Sequence, residues 1–300
     1  MMNFDGIFTP AITPLAADGS IDTDAFAQVL EYLIEQKVHG IIIGGSTGEY
    51  YAHSLQERLD LTRLAAEVIN GRTPLVIGTG AIRTEESVAY AEAAKAAKVD
   101  AILVGSPPYA LPTQQEIANH VLAVDRAAGL PIMLYNYPGR MSVDMGPEFF
   151  EAVSGSRNIA AIKESSGDIA RLHHFAERYP HIALSCGWDD QALEFFAWGA
   201  RSWVCAGSNF IPAEHIALYE ACVLEGDFAK GRKIMAAMMP LMDFLEGGKF
   251  VQSIKHGVAL NGLVTGGVRA PLSGLDEQEQ AALQEIIKTL KAKVAAIKGA

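Results

Sequence analysis

Cysteine is scarce in this chain of 300 residues: Cys186, Cys205 and Cys222 are the only three, and no two lie close together. An odd, scattered set builds neither a disulfide framework nor a zinc site, and it fits reduced thiols in the cytoplasm. Long apolar runs are also missing. Ala101 to Val104 and Ile41 to Ile43 fall far short of the roughly 18 residues a membrane helix needs, and Glu194 and Arg201 interrupt the stretch from Ala192 to Ala206. The sequence opens Met-Met-Asn-Phe-Asp with no basic segment ahead of an apolar one, so no secretory signal is expected. Positive charge is short: Lys plus Arg number 24 against 35 for Asp plus Glu, a net charge of −11. Without basic runs, that balance argues against nucleic acid and anionic membranes as partners. There is no His-x-x-x-His pair or carboxylate cluster to hold a metal, no Gly-x-Gly-x-x-Gly fingerprint, and no low-complexity linker.

What is present is globular. Half of the residues are apolar and 20% are charged, enough to bury a large core. Short β-rich apolar runs recur at Ile7 to Ile12, Gly40 to Ile43, Pro74 to Gly78, Ala101 to Gly105, Pro131 to Tyr135, Ile159 to Lys163, Ile182 to Cys186 and Trp203 to Ala206. Their starts lie roughly 20 to 35 residues apart, the length of one βα unit, and near-continuous apolarity suits parallel strands covered on both faces.

The segments between carry helix chemistry. Ser54 with Glu57 and Thr113 with Glu116 have capping-box spacing. Leu61, Leu64, Ala65 and Val68 share one face of a helix, and Tyr90 to Lys98 is Ala-rich and amphipathic. The segments Lys230 to Glu246 and Asp276 to Ile297 are helical in pattern and strand-poor. The expected architecture is therefore α/β: a (β/α)8 TIM barrel over 1–225 that holds the active site, with a C-terminal helical extension of the same unit over 226–300. An open doubly wound sheet is the alternative, disfavoured by eight evenly spaced units and the missing dinucleotide fingerprint.

A barrel builds its site at the C-terminal ends of its strands, so the residues closing each run are the ones to inspect. Lys163 stands out: of the twelve lysines it alone ends an apolar β run. Burial there favours the neutral amine, the nucleophile that condenses with a ketone. The competing reading is a lysine paired with a carboxylate such as Glu164. Gly44-Gly45-Ser46-Thr47-Gly48-Glu49 offers hydroxyls and backbone N–H groups to a small carboxylate, although Ser46 and Glu49 also have capping-box spacing. Tyr135 could donate and accept protons, and Arg140, in the Pro-Gly turn just beyond it, could grip a carboxylate bidentately or be a solvated charge. Tyr109 lies on a stiff Pro-Pro loop and could instead be a packing aromatic. N-capping accounts for Asp189 and Asp190 ahead of a helix from Gln191 to Trp198. His173 and His174 are adjacent on a helix and face different directions, which does not make a metal site.

In that order along the chain, Gly45-Ser46-Thr47-Gly48-Glu49, Tyr135-Asn136-x-Pro138-x-Arg140, Ile162-Lys163-Glu164-Ser165-Ser166-Gly167-Asp168 and Gly207-Ser208-Asn209 resemble the dihydrodipicolinate synthase and N-acetylneuraminate lyase family, and the likeness runs nearly the full length. The resemblance implies that Lys163 forms a Schiff base with pyruvate or another 2-oxo acid. Ser46, Tyr135 and Tyr109 would make a hydroxyl relay, with Tyr109 reaching in from a neighbouring subunit. Thr47, Gly48, Arg140, Val204 and Ser208 would bind substrate. It implies no metal or organic cofactor, and a homotetramer of tight dimers. The nearest activity is 4-hydroxy-tetrahydrodipicolinate synthase, which joins pyruvate to aspartate semialdehyde. Alternatives are a catabolic deaminase or dehydratase of hydroxylated 2-oxo acids, a sugar-acid aldolase, a non-catalytic 2-oxo-acid sensor and, more remotely, a metal-dependent barrel hydrolase. Tyr50, Tyr51, Ile82 and Pro108 stand where feedback-regulated synthases bind lysine, so ordinary lysine feedback is not expected, and Gly247 to Lys255 lacks the Pro-x-Lys motif of the synthases, which favours the catabolic alternatives.

Overall fold

The computed structural model describes residues 2–299. Its eight strands are β1 (Gly6–Pro10), β2 (Gly40–Ile43), β3 (Leu75–Gly78), β4 (Ala101–Gly105), β5 (Ile132–Asn136), β6 (Ile159–Glu164), β7 (Ala183–Cys186) and β8 (Ser202–Val204). Each runs parallel to the next, and β8 pairs back onto β1 to close the barrel. A helix follows every strand, from Thr23–Glu35 after β1 to Pro212–Tyr219 after β8. The eight runs read from the sequence are these eight strands.

Successive side chains of a strand point to opposite faces. Phe8, Ile42, Val76, Leu103, Met133 and Val204 fill the barrel interior as one cluster. Their chain neighbours Ile7, Ile41, Ile77, Ile102, Leu134 and Trp203 join a second cluster between barrel and helices. Both faces are buried, which is why the runs read as continuously apolar rather than alternating.

The helices begin where their caps demand. Ser54 and Thr113 each accept from the N–H three residues on while Glu57 and Glu116 reach back, so both capping boxes are formed. Asp276 with Glu279 forms a third that the sequence reading passed over.

Beyond the barrel, helices Phe228–Glu246, Phe250–Ala259 and Glu277–Lys298 build the extension. Leu283, Ile287, Leu290 and Val294 recur at helical spacing on the last of these and bury into the same core cluster as the barrel helices, so the core is continuous across residue 225. Helix Phe250–Ala259 was not anticipated. It is short, follows Gly247-Gly248, and buries the polar residues Gln252, Ser253 and Lys255 alongside Val251, Ile254 and Val258. Pro240 lies inside helix Phe228–Glu246 without ending it. Among the described residues no helix is long and apolar enough to cross a membrane.

Candidate active site

The pleat decides which way each residue at the top of β5 and β6 faces. Lys163 shares a face with Ala161, and Tyr135 with Met133, so both point into the barrel, and the register sets them side by side. The Lys163 amine lies 4.3 Å from the centroid of the Tyr135 ring. Glu164, one residue on, points outward, where its carboxylate accepts from Asn136 Nδ2 at 2.9 Å, from Ser166 N at 2.7 Å and from Arg171 Nη2 at 3.3 Å. The Lys163–Glu164 pairing considered from sequence is therefore not formed, and no ion pair among the described residues includes Lys163. Burial pushes the amine below its ordinary pKa, with Asp189 opposing the shift.

Room for that side chain comes from Gly187. A Cβ there would stand 2.7 Å from Lys163 Cγ and 2.8 Å from Cε. Burial raises the Tyr135 phenol to about 12, against the opposing pull of Ser46, Arg140 and Ser165. At neutral pH it is a protonated donor, and Ser165 Oγ beside it has no hydrogen-bond partner.

Ser46, Thr47, Tyr135, Arg140, Lys163 and Val204 line one pocket at the barrel mouth, together with Asp189, Glu246 and Phe250. Its volume of about 40 Å³ is several times the 10–15 Å³ or so that one water requires. That is room for a small acid. Ser46 and Thr47 arrive on a 3₁₀ turn, Ser46–Gly48, directly after β2. Arg140 sits on the short helix Pro138–Met141, 5.4 Å from the Tyr137 ring, with its guanidinium turned to the pocket.

Several expectations are corrected. Ser46 and Glu49 do not form a capping box: the turn is capped by Gly45 without a side-chain bond, and Glu49, at φ 58°, is buried in an ion pair with Lys255. Ser208 does not line the pocket; its hydroxyl is held by Thr9 Oγ1 at 2.7 Å and donates to Cys205 O at 2.6 Å. Gly48 does not line the pocket; a Cβ there would come 2.8 Å from Ala11 O, so it is required for close packing under the turn. Tyr109, expected to serve a neighbouring subunit rather than its own, is not corrected in this way: it is 89% exposed and is not among the residues lining the Lys163 pocket.

Asp189 is the residue that sequence reasoning misassigned. It caps nothing; its carboxylate accepts from Trp203 Nε1 at 2.9 Å and faces the pocket. Burial raises it to about 7, with the Trp203 bond and Lys163 opposing. The signal that could have found it is its place three residues beyond the end of β7, at the catalytic face of the barrel. Of the positions compared with a lysine site, Tyr50 packs against Arg58 and Gly80, while Tyr51 and Ile82 are 50% and 60% exposed.

Comparison with known proteins agrees with this geometry. The sequence matches the profile of the Dihydrodipicolinate synthetase family over residues 3–290. It is 34% identical over 286 residues to 4-hydroxy-tetrahydrodipicolinate synthase of Alcanivorax borkumensis, covering 94% of this chain and 96% of that one. The fold superimposes on the 4-hydroxy-tetrahydrodipicolinate synthase of Methylacidiphilum fumariolicum SolV with a TM-score of 0.93 at 31% identity over 99% of each chain. A prophage protein of the dihydrodipicolinic acid synthase family from E. coli K12, solved with pyruvate, aligns with a TM-score of 0.90 at 29% identity over 97% of this chain and 99% of that one. With the closed barrel, the inward lysine and a match along nearly its whole length, this chain belongs to the dihydrodipicolinate synthetase family.

Proposed function

We propose that this chain is a Schiff-base lyase that condenses pyruvate with aspartate semialdehyde, as a 4-hydroxy-tetrahydrodipicolinate synthase. The observation that carries the reading is the Lys163 amine, buried in a small pocket with no ion-paired carboxylate and with its pKa lowered. A desolvated neutral amine is the form that attacks C2 of a 2-oxo acid. The resulting carbinolamine loses water to give an iminium, which draws electrons from C3; loss of a C3 proton then gives the enamine that adds to an aldehyde. Tyr135, protonated and adjacent, delivers and recovers the protons. Ser46 and Thr47 hold the 2-oxo acid carboxylate, and Arg140 meets the distal carboxylate of the aldehyde. The iminium is the electron sink, so this chemistry needs no metal or organic cofactor.

The assembly belongs to the same proposal. Tyr109, Leu111, Ile82 and Tyr51 are exposed apolar side chains that a second copy would cover, with Tyr109 completing the relay of the partner; the assembly proposed is a cytoplasmic homotetramer. Sedimentation velocity on wild type and Tyr109→Ala tests the assembly.

The chemistry is tested by borohydride reduction in the presence of pyruvate, with peptide mass mapping. The expected result is an adduct on Lys163, together with a specificity constant for aspartate semialdehyde above those for 4-hydroxy-pyrroline-2-carboxylate and 2-keto-3-deoxy sugar acids. An unmodified Lys163 despite tight pyruvate binding would overturn it.

A further inference from the structure

Directly behind the Ser46–Gly48 turn lies a pair of opposite charges shut off from water. Lys255 Nζ stands 2.5 Å from Glu49 Oε2, and the two side chains are 4% and 1% exposed. The contact is an ion pair rather than an aligned hydrogen bond. Lys255 also donates to Gly267 O at 2.7 Å, and Arg269 N approaches the second Glu49 oxygen at 3.4 Å. Glu49 is joined by one peptide bond to the turn that presents Ser46 and Thr47. Lys255 belongs to helix Phe250–Ala259, whose first residue lines the pocket.

Burying two charges usually costs about as much as their attraction returns, so stability alone is a weak reason for such a pair. Its position gives a stronger one. The pocket must accept the carboxylate of a 2-oxo acid on Ser46 and Thr47, and Glu49 puts a buried negative charge just behind them. In a low-dielectric site that charge repels the ligand unless a cation cancels it. The Lys255 ammonium does so, and it comes from the C-terminal extension rather than from the barrel.

We infer that Lys255 and Glu49 are positioning residues for the carboxylate subsite: Lys255 neutralises Glu49 so that the Ser46–Thr47 turn can bind an anion, which makes the helical extension a functional part of the site. The inference rests on the Schiff-base reading of Lys163.

The test is a set of three variants, Lys255→Met, Glu49→Gln and the double variant, measured for thermal stability, for pyruvate KM and kcat, and for borohydride trapping. Lys255→Met leaves a negative charge behind the anion site and should raise pyruvate KM about tenfold with a smaller change in kcat. Glu49→Gln leaves no negative charge and should raise KM by less. The double variant should recover most of the loss. A purely structural pair would instead damage both single variants alike, and equal KM changes at matched stability overturn the inference. Should Lys255→Met not fold, Glu49→Gln is compared with the double variant: a KM at or below that of the double supports the inference, and one above it overturns it. Failure of wild type to form the Lys163 adduct would strike the underlying reading, whereas a normal adduct with equal KM changes strikes only this inference.

Discussion

Asp189 accepts a hydrogen bond from Trp203 Nε1 at 2.9 Å, and this bond holds the most strongly perturbed carboxyl of the pocket on the same wall as the Lys163 amine. Burial keeps Asp189 protonated up to about 7, where an ordinary aspartate ionises near 3.8. Between those limits the folded state binds more protons than the unfolded one, so this group's contribution to stability falls as pH rises. Asp189→Asn keeps an acceptor for Trp203 and cannot titrate. Urea unfolding of wild type and variant should therefore show the variant gaining relative stability from pH 4 to pH 7, by roughly 1–3 kcal/mol. A flat difference would mean that Asp189 ionises normally.

Gly187→Ala tests how tightly Lys163, the proposed nucleophile, is housed. The added carbon would stand 2.7 Å from Lys163 Cγ and 2.0 Å from Ser165 Oγ. Ser165 can rotate away; Lys163 must swing its amine off line. A displacement of about 1 Å costs on the order of a hundredfold in turnover. The expected outcome is a folded protein by circular dichroism with kcat reduced to that extent, and near-wild-type kcat would show that the amine has slack.

Tyr135→Phe removes the phenol and keeps the ring beneath the amine. Proton transfer by a placed acid or base contributes about 10²–10⁴-fold. The variant should lose rate in that range, and the rate of Lys163 adduct formation in stopped-time borohydride trapping should fall too. Unchanged trapping would assign the proton transfer elsewhere.

Arg140→Ala separates the two substrates. Arg140 reaches the pocket from the helix Pro138–Met141, while Ser46 and Thr47 reach it from the turn after β2. Loss of a bidentate charge-assisted contact costs about 2–3 kcal/mol. The specificity constant for aspartate semialdehyde should drop by that equivalent, with little change in pyruvate adduct formation. Equal harm to both would make Arg140 structural.

On the outer face of β6, Arg171 satisfies Glu164, which is 2% exposed. Arg171→Met leaves that buried carboxylate its bonds from Asn136 and Ser166 but no cation, and should destabilise the fold by about 3 kcal/mol in urea. The kcat of folded enzyme should hold, because Glu164 and Lys163 lie on opposite faces of one strand. A parallel loss of kcat would show that the two faces are coupled.

The barrel was legible because its code is local. Each strand is a short apolar run and each helix a capped amphipathic one, and Lys163 shows itself as the only lysine to end such a run. Proximity across the chain was not legible. Asp189 sits ahead of a helix, as a capping residue does, and only the pairing of β7 with β8 brings Trp203 to its carboxylate. Glu49 has the spacing of a capping partner for Ser46, yet its true partner, Lys255, lies 206 positions further along the chain (255 minus 49). Ser208 matches a family motif, but its hydroxyl is committed to Thr9.

The order of elements, the candidacy of Lys163 and the chemistry open to a desolvated amine are legible in the residues alone, because hydrophobic period and side-chain type are properties of neighbours in the chain. Which carboxyl shares the amine's pocket was decided by closure of the barrel, and which cation pairs with Glu49 by the packing of helix Phe250–Ala259 beside it. Closure sets residues far apart in sequence within hydrogen-bonding distance, and at that range desolvation and charge fix what each group can do.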